Sequence, residues 1–188
     1  VKHAMIDFQP DFVIHMAAQA LVLPSYTNPV DTMKTNVLGT VHILDAFRQL
    51  EKPCVMVNIT TDKVYENKER LEPYTEDEPK GGYDPYSASK AAAEIVSQSY
   101  QLSFFNPKEY DTHKKAMSTV RSGNVIGGGD WNASRIIPDL ARALDVNKEV
   151  YDFLEKVFPD RSVREYFLDT SSDVFVGGNP NKLVQVWS

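Results

Sequence analysis

A single cysteine in 188 residues, Cys54, leaves no partner for an internal disulfide. It lies in the apolar run CVMVNI and reads as a buried, inert thiol. The four histidines, His3, His15, His42 and His113, are scattered without metal-ligand spacing. No metal site is expected from them; they read as solvated or core side chains. Positive charge is in deficit, with 20 Lys and Arg against 26 Asp and Glu and a net charge of −6. That argues against a general nucleic-acid surface, because a phosphate backbone selects for clustered Lys and Arg. No apolar run approaches the ~18 residues of a membrane span. No basic-then-apolar leader opens the chain, which starts at Val1 and is expected to be a fragment or a trimmed chain. Internal repeats and low-complexity tracts are also lacking.

What is present is the balance of an ordinary globular protein, 42% apolar and 24% charged, at a length that supports one full domain core. The run DFVIHMAA (11–18) is apolar throughout and of strand length, as for a parallel strand covered on both faces. Residues 28–51 place Val30, Met33, Val37, Val41, Leu44 and Phe47 at helical spacing, with Pro29 tolerated in the first turn. A second strand is expected at 54–60 and a second, Ala-rich helix at 85–105, with Pro85 near its start. A third strand is expected at 117–125, and a further helix begins at 136–144. Strand and helix in alternation predict a parallel α/β sheet, with ligands beyond the C-terminal ends of the strands.

That edge is where the sequence becomes chemical. The second strand closes on Thr60, Thr61, Asp62 and Lys63. The second helix opens on YSASK, which sets Tyr86 and Lys90 four residues apart on one face. A phenol is a poor base at neutral pH. A neighbouring ammonium favours the phenolate, and such a tyrosine takes a proton from a hydroxyl while hydride leaves the same carbon. A lone Tyr-x-x-x-Lys is common on solvated helix faces; its meaning here comes from following a strand that ends in Thr-Thr-Asp.

The stretches HMAAQALVLPSY, TNVLGTVHILDAFR, NITTDKVYEN, GGYDPYSASKAAAE and VRSGNVIGGGDWNASRIIPDLARAL together resemble the extended short-chain dehydrogenase/reductases. Within them, residues 1–150 are most similar to the CDP-glucose branch of the sugar-nucleotide 4,6-dehydratases. The resemblance implies a Rossmann-like, doubly wound parallel sheet and a tightly bound NAD. It further implies a nucleotide-sugar substrate, CDP-glucose converted to CDP-4-keto-6-deoxyglucose, a cytoplasmic location and a homo-oligomer in the complete enzyme. By motif it makes Tyr86 the base that oxidises C4 and Lys90 its partner on the nicotinamide ribose. Thr61 becomes the hydrogen-bond partner of the C4 hydroxyl, and Asp62 the acid that protonates the departing C6 hydroxyl. Lys63 stands where the dTDP-glucose enzymes carry a glutamate; it is either a neutral base for the C5 proton or a group that orients the substrate or Asp62. Ala17, Ala18, Asn36 and Thr60 join Tyr86 and Lys90 on the cofactor side. Ser25, Arg121, Asn124 and Arg135 are implied on the side of the nucleotide and its pyrophosphate, and the loop GGGD (127–130) is expected to cover the sugar nucleotide.

Two departures limit the resemblance. The family opens with a strand, a Gly-rich turn and a helix that cradle the pyrophosphate. The chain enters after that unit, so its sheet is expected to lack the N-terminal Gly-rich βαβ portion, and the chain alone is expected not to catalyse. Residues 151–188 do not match the family's capping segment either. They resemble the segment before the P-loop of D5-type viral primase-helicases, which implies a domain boundary at 150/151 and a tail of different origin. The alternatives are another NAD-dependent sugar-nucleotide dehydratase or epimerase, or a non-catalytic chimeric chain.

Overall fold

In the computed structural model, residues 1–125, 129–133 and 135–146 are described. The chain divides into two compact units, Val1–Gly123 and Asn124–Ser188. The 150/151 boundary expected from sequence lies outside the described residues, as does the whole of 151–188.

The first unit is built on three parallel strands in the order β1 (Phe12–His15), β2 (Cys54–Ile59), β3 (Lys115–Val120). Phe12 pairs with Val55 and Val55 with Ala116, and the register runs on without a break to Ile59 and Val120. A short helix, α1 (Lys2–Phe8), precedes β1. Between β1 and β2 run α2 (Val22–Thr27), α3 (Pro29–Met33), a π turn (Lys34–Leu38) and α4 (Gly39–Arg48). Between β2 and β3 run a 3₁₀ turn (Asp62–Val64), the long α5 (Pro85–Phe104), a second 3₁₀ turn (Pro107–Glu109) and α6 (Tyr110–His113). The connections between strands are helical crossovers, as parallel pairing demands. The second unit contributes α7 (Ile136–Val146), where a helix was expected.

The core of the first unit is the cluster Leu44, Phe47, Leu50, Cys54, Met56, Phe105 and Met117, with the Phe47 and Phe105 rings edge to face at 5.0 Å. Cys54 is buried and unpaired, and burial pushes its thiol pKa up, as befits an inert group. No helix among the described residues is long and apolar enough to cross a membrane, and no metal-binding cluster occurs among them.

Two expectations are corrected. The helix at 28–51 buries Leu44 and Phe47 as predicted, but in its first half Val30 and Met33 are exposed while Thr32, Asn36 and Thr40 are buried. The cause is the π turn, which interrupts the 3.6-residue period and lets a polar stripe at four-residue steps face inward. Secondly, β1 is apolar on both sides, but among the described residues only one side is covered. Val13 and His15 turn inward; Phe12 and Ile14 are exposed.

Candidate active site

The site grows from the C-terminal ends of β1 and β2 and the first turns of α5. The entry to α5 is fixed by Asp84, which caps it. Asp84 Oδ1 accepts from the Ser87 amide at 2.9 Å and Oδ2 from the Ser87 hydroxyl at 2.6 Å, and Pro85 takes the first helical position. Gly82 makes the approach possible. Its φ is +142°, and a Cβ there would lie 2.4 Å from the Ala88 nitrogen, so no side chain fits.

Along one face of α5, Tyr86, Lys90, Glu94 and Ser97 are all buried. Lys90 Nζ donates to the Ile59 carbonyl at 2.9 Å, which ties the helix to the last residue of β2. Burial lowers the Lys90 pKa, and the Glu94 carboxylate one turn on opposes that shift. An ammonium has three donors; the Ile59 carbonyl is its hydrogen-bond partner among the described residues, so donors remain for a bound polar group. Tyr86 is 9% exposed, and its amide donates to the Ser25 hydroxyl at 3.1 Å. Ser25 is fully buried and itself donates to Val22 at 2.6 Å. Its hydroxyl therefore braces the start of α5.

Beyond β2 the chain turns sharply. The Thr61 side chain caps the 3₁₀ turn, accepting from the Lys63 amide at 3.3 Å and donating to Asp62 Oδ1 at 3.0 Å. Lys63 Nζ lies 3.5 Å from the same Asp62 oxygen, and both side chains are about half exposed. The result is a carboxylate flanked by a hydroxyl and an ammonium at the open end of the sheet. Thr60 points the other way: its hydroxyl is 2.6 Å from Glu94 Oε1.

Asn36 is the hub on the β1 side. Its Oδ1 accepts from the Gln19 amide at 2.8 Å, and its Nδ2 donates to the Gln19 carbonyl at 3.0 Å and to the Ser89 hydroxyl at 2.8 Å. It thereby clasps the loop that carries Ala17, which is exposed, and Ala18, which is half-buried. Behind it, the Thr40 hydroxyl donates to the Asn36 carbonyl at 2.7 Å, so it must accept from His15 Nε2 at 3.1 Å. That fixes the His15 proton on Nε2. Burial, and then the Lys90 charge, lower the His15 pKa.

Arg121 follows β3 and makes a bidentate pair with Glu94, Nε to Oε1 at 2.9 Å and Nη2 to Oε2 at 2.7 Å, while its guanidinium stacks 4.5 Å from the Tyr65 ring centroid. The Glu94 contact raises the Arg121 pKa still further. In the second unit, Asn124 is exposed and Arg135 pairs with Asp130 at 3.4 Å. Residues 127 and 128 of the expected cover loop lie outside the described residues.

The first unit thus brings together Thr60, Thr61, Asp62, Lys63, Tyr86, Lys90, Asn36 and Ser25. Sequence reasoning missed Gln19, Ser89, Thr40 and Glu94. Thr40, Ser89 and Glu94 are polar positions inside helices read as apolar or Ala-rich, and Gln19 lies in the loop after β1; for the first helix the signal was there, since Thr32, Asn36 and Thr40 share one four-residue step.

The sequence profile of the GDP-mannose 4,6 dehydratase family matches residues 1–108. A CDP-glucose 4,6-dehydratase of Salmonella typhimurium is 49% identical over 150 residues, covering 80% of this chain and 42% of that protein. The chain therefore spans less than half the length of this curated relative. Among solved structures, the NAD-dependent NDP-hexosamine 5,6-dehydratase TunA of tunicamycin biosynthesis superposes with a TM-score of 0.64 at 27% identity, over 78% of this chain and 44% of that one. The UDP-glucose 4-epimerase of Thermus thermophilus, solved with NAD, superposes with a TM-score of 0.63 at 30% identity, over 74% and 43%. These matches confirm the Rossmann-like parallel α/β class; the primase-helicase resemblance of 151–188 is not shown by them. A Tyr-x-x-x-Lys helix tied to a Thr-Thr-Asp strand end, on this sheet and under this profile, has one reading: the chain belongs to the GDP-mannose 4,6 dehydratase family.

Proposed function

We propose that this chain carries the catalytic centre of an NAD-dependent CDP-glucose 4,6-dehydratase, a lyase that converts CDP-glucose to CDP-4-keto-6-deoxyglucose. The observation that carries the reading is the 2.9 Å bond from Lys90 to the Ile59 carbonyl. It brings the phenol–ammonium helix face against the strand end that presents Thr61, Asp62 and Lys63. The 49% identity to a CDP-glucose enzyme supports the choice of sugar nucleotide.

NAD would supply the hydride acceptor for C4 of the sugar and the hydride donor for C6, and Lys90, Ala17, Ala18, Thr60 and Asn36 are the residues on its side. The donor set fits such a group: the buried Lys90 ammonium has donors left for ribose hydroxyls, and small residues, Ala17 and Ala18, follow β1. Thr60 and Asn36 serve the cofactor side by fixing the strand ends. Tyr86 takes the proton from the C4 hydroxyl, with Lys90 favouring its phenolate form and Thr61 hydrogen-bonding that hydroxyl. Water is lost across C5 and C6: Asp62, which must carry a proton to act, gives it to the C6 hydroxyl as it leaves, and a base takes the proton from C5. The 3.5 Å approach of Lys63 to Asp62 favours the reading in which Lys63 orients Asp62 over that of a neutral base. Ser25 acts through the Tyr86 backbone, and Arg121, Asn124 and Arg135 are the proposed residues on the nucleotide side. The exposed apolar residues Ile95, Leu102 and Phe104 on α5 support a homo-oligomer. Soluble nucleotide substrates support a cytoplasmic location, without membrane or nucleic-acid partners.

The test is Tyr86→Phe in a complete enzyme carrying this segment, assayed by the alkaline absorbance of the 4-keto product. A loss on the order of 10²–10⁴-fold is expected, because Phe keeps the ring and removes the ionisable oxygen. Near-parental turnover sinks the reading. Supplying CDP-, dTDP- and UDP-glucose side by side separates it from another dehydratase of the family.

A further inference from the structure

We propose that Glu94 is a positioning residue of this site: its carboxylate locks the Thr60–Lys63 strand end against the Tyr86/Lys90 face of α5 and supplies the negative charge beside the Lys90 ammonium. The roles of Tyr86 and Lys90 rest on the functional reading above; the lock itself rests on geometry alone.

Glu94 is 4% exposed and sits one turn after Lys90 and two after Tyr86. Three segments converge on it. Arg121, from the end of β3, grips both oxygens. The Thr60 hydroxyl, from the end of β2, lies 2.6 Å from Oε1, and Lys80, from the loop before α5, lies 4.0 Å from Oε2. Arg121 extends the lock to Tyr65 by stacking and to the Glu76 carbonyl at 3.4 Å. Thr60 is the residue before Thr61. A clamp on Thr60 therefore sets where the Thr61 hydroxyl and the Asp62 carboxylate stand relative to the helix.

Stability is a poor reason for such a group. Replacing a buried ion pair by well-packed apolar residues is often neutral or stabilising. What an apolar replacement cannot supply is charge at this depth. The groups bearing on Lys90 are His15 from β1 and Glu94 from its own helix, with Arg121 and Lys80 behind Glu94. Burial pushes Lys90 toward the neutral amine, and Glu94 is the group that pushes back. A neutral amine in place of the ammonium would withdraw the support of the Tyr86 phenolate.

The experiment uses the 188-residue chain without substrate or cofactor, so its failure is separate from failure of the catalytic reading, which Tyr86→Phe decides. The lysine ε-carbons are ¹³C-labelled and titrated by NMR, with the Lys90 signal assigned by its loss in Lys90→Arg. Backbone exchange is followed at the Thr60 and Asp62 amides, which bond to the Val120 and Ser122 carbonyls at 2.8 and 2.9 Å. Glu94→Gln is expected to move the Lys90 midpoint downward and to speed exchange at both amides ~10-fold, the loss of about one buried hydrogen bond. Ser97→Ala, which removes the partner of Asn58 one turn further along the same face, should leave the Lys90 midpoint in place. Glu94→Asp keeps the charge and shortens the reach, so it should hold the midpoint while the amides still exchange faster. It carries the test if the Gln variant does not fold. An unmoved Lys90 midpoint in Glu94→Gln, an equal shift in Ser97→Ala, or unchanged exchange in Glu94→Asp overturns the proposal.

Discussion

Replacing Asn36 by alanine should destabilise the first unit on the scale of truncating a buried leucine, about 2–5 kcal/mol, although Asn36 is polar. The Asn36 side chain makes three hydrogen bonds, two to the Gln19 backbone and one to the Ser89 hydroxyl. Gln19 is half-buried, so water can reach its freed groups; the full desolvation penalty then does not apply. Ser89 keeps its bond to the Tyr86 carbonyl at 2.7 Å. The loss is therefore close to three net hydrogen bonds at about 1 kcal/mol each, or ~3 kcal/mol. With a urea slope of ~1–3 kcal/mol/M for a small domain, the unfolding midpoint falls by roughly 1–3 M at unchanged slope. Asn36→Asp is the sharper control. It keeps an acceptor for the Gln19 amide but sets a carboxylate oxygen against the Gln19 carbonyl, and it should be at least as damaging as alanine. An alanine variant within about 0.5 kcal/mol of the parent, the range of inert surface changes, would refute the view that this clasp organises the loop.

Asp62→Asn in the complete enzyme should retain oxidation at C4 better than elimination, because the amide can hydrogen-bond the C6 hydroxyl but cannot protonate it; normal product formation removes Asp62 from the acid role. Gly82→Ala should cost at least ~1–3 kcal/mol, the scale of a strained backbone position, and shift the start of α5; an unchanged thermal midpoint would contradict the contact with Ala88. The pH dependence of stability should carry a His15 component. Its folded pKa is depressed below 6.5, so the unfolded chain binds the proton more readily, and stability present above pH 6.5 is lost as pH falls toward the folded pKa. His15→Gln, whose amide can still donate to Thr40, should flatten that acid limb of the denaturation profile; an identical limb in parent and variant would assign the loss elsewhere.

Much of the fold was legible because crossover strands and helices carry simple periods. CVMVNIT gave β2, the Ala-rich run after Pro85 gave α5, and their alternation gave the parallel sheet. The site was legible where residues cluster along the chain, as in Thr60–Lys63 and Tyr86–Lys90. It was obscure where groups meet across it. Glu94 and Arg121 are 27 residues apart and Asn36 and Ser89 are 53 apart, and neither pair has a local signature. The helix at 28–51 was misread for a physical reason. An apolar count assigns the greasy face to the inside, whereas the π turn rotates the first half so that hydrogen-bonding groups face inward.

That rotation belongs to a larger division of the domain. On one face of β2, Cys54 and Met56 enter the apolar core, and on the same face Asn58 and Thr60 enter a polar network. β1 makes the same change from Val13 to His15. The crossing helices follow it in reverse: Thr32, Asn36 and Thr40 precede Leu44 and Phe47, and Tyr86, Lys90 and Glu94 precede Val96, Tyr100 and Phe105. The N-terminal ends of β1 and β2 are thus held by packing and their C-terminal ends by hydrogen bonds. Packing tolerates exchange among apolar residues of similar volume. A buried polar network does not, because each unsatisfied member costs the desolvation of its partner. Tyr86 and Lys90, the proposed base and its partner, stand at the end where the backbone is fixed by directional bonds, and catalytic positioning needs that kind of fixation. The same arrangement explains why changes near the Leu44–Phe47 core should lower stability with the site geometry retained, while changes at Asn36, Thr40 or Glu94 should alter both.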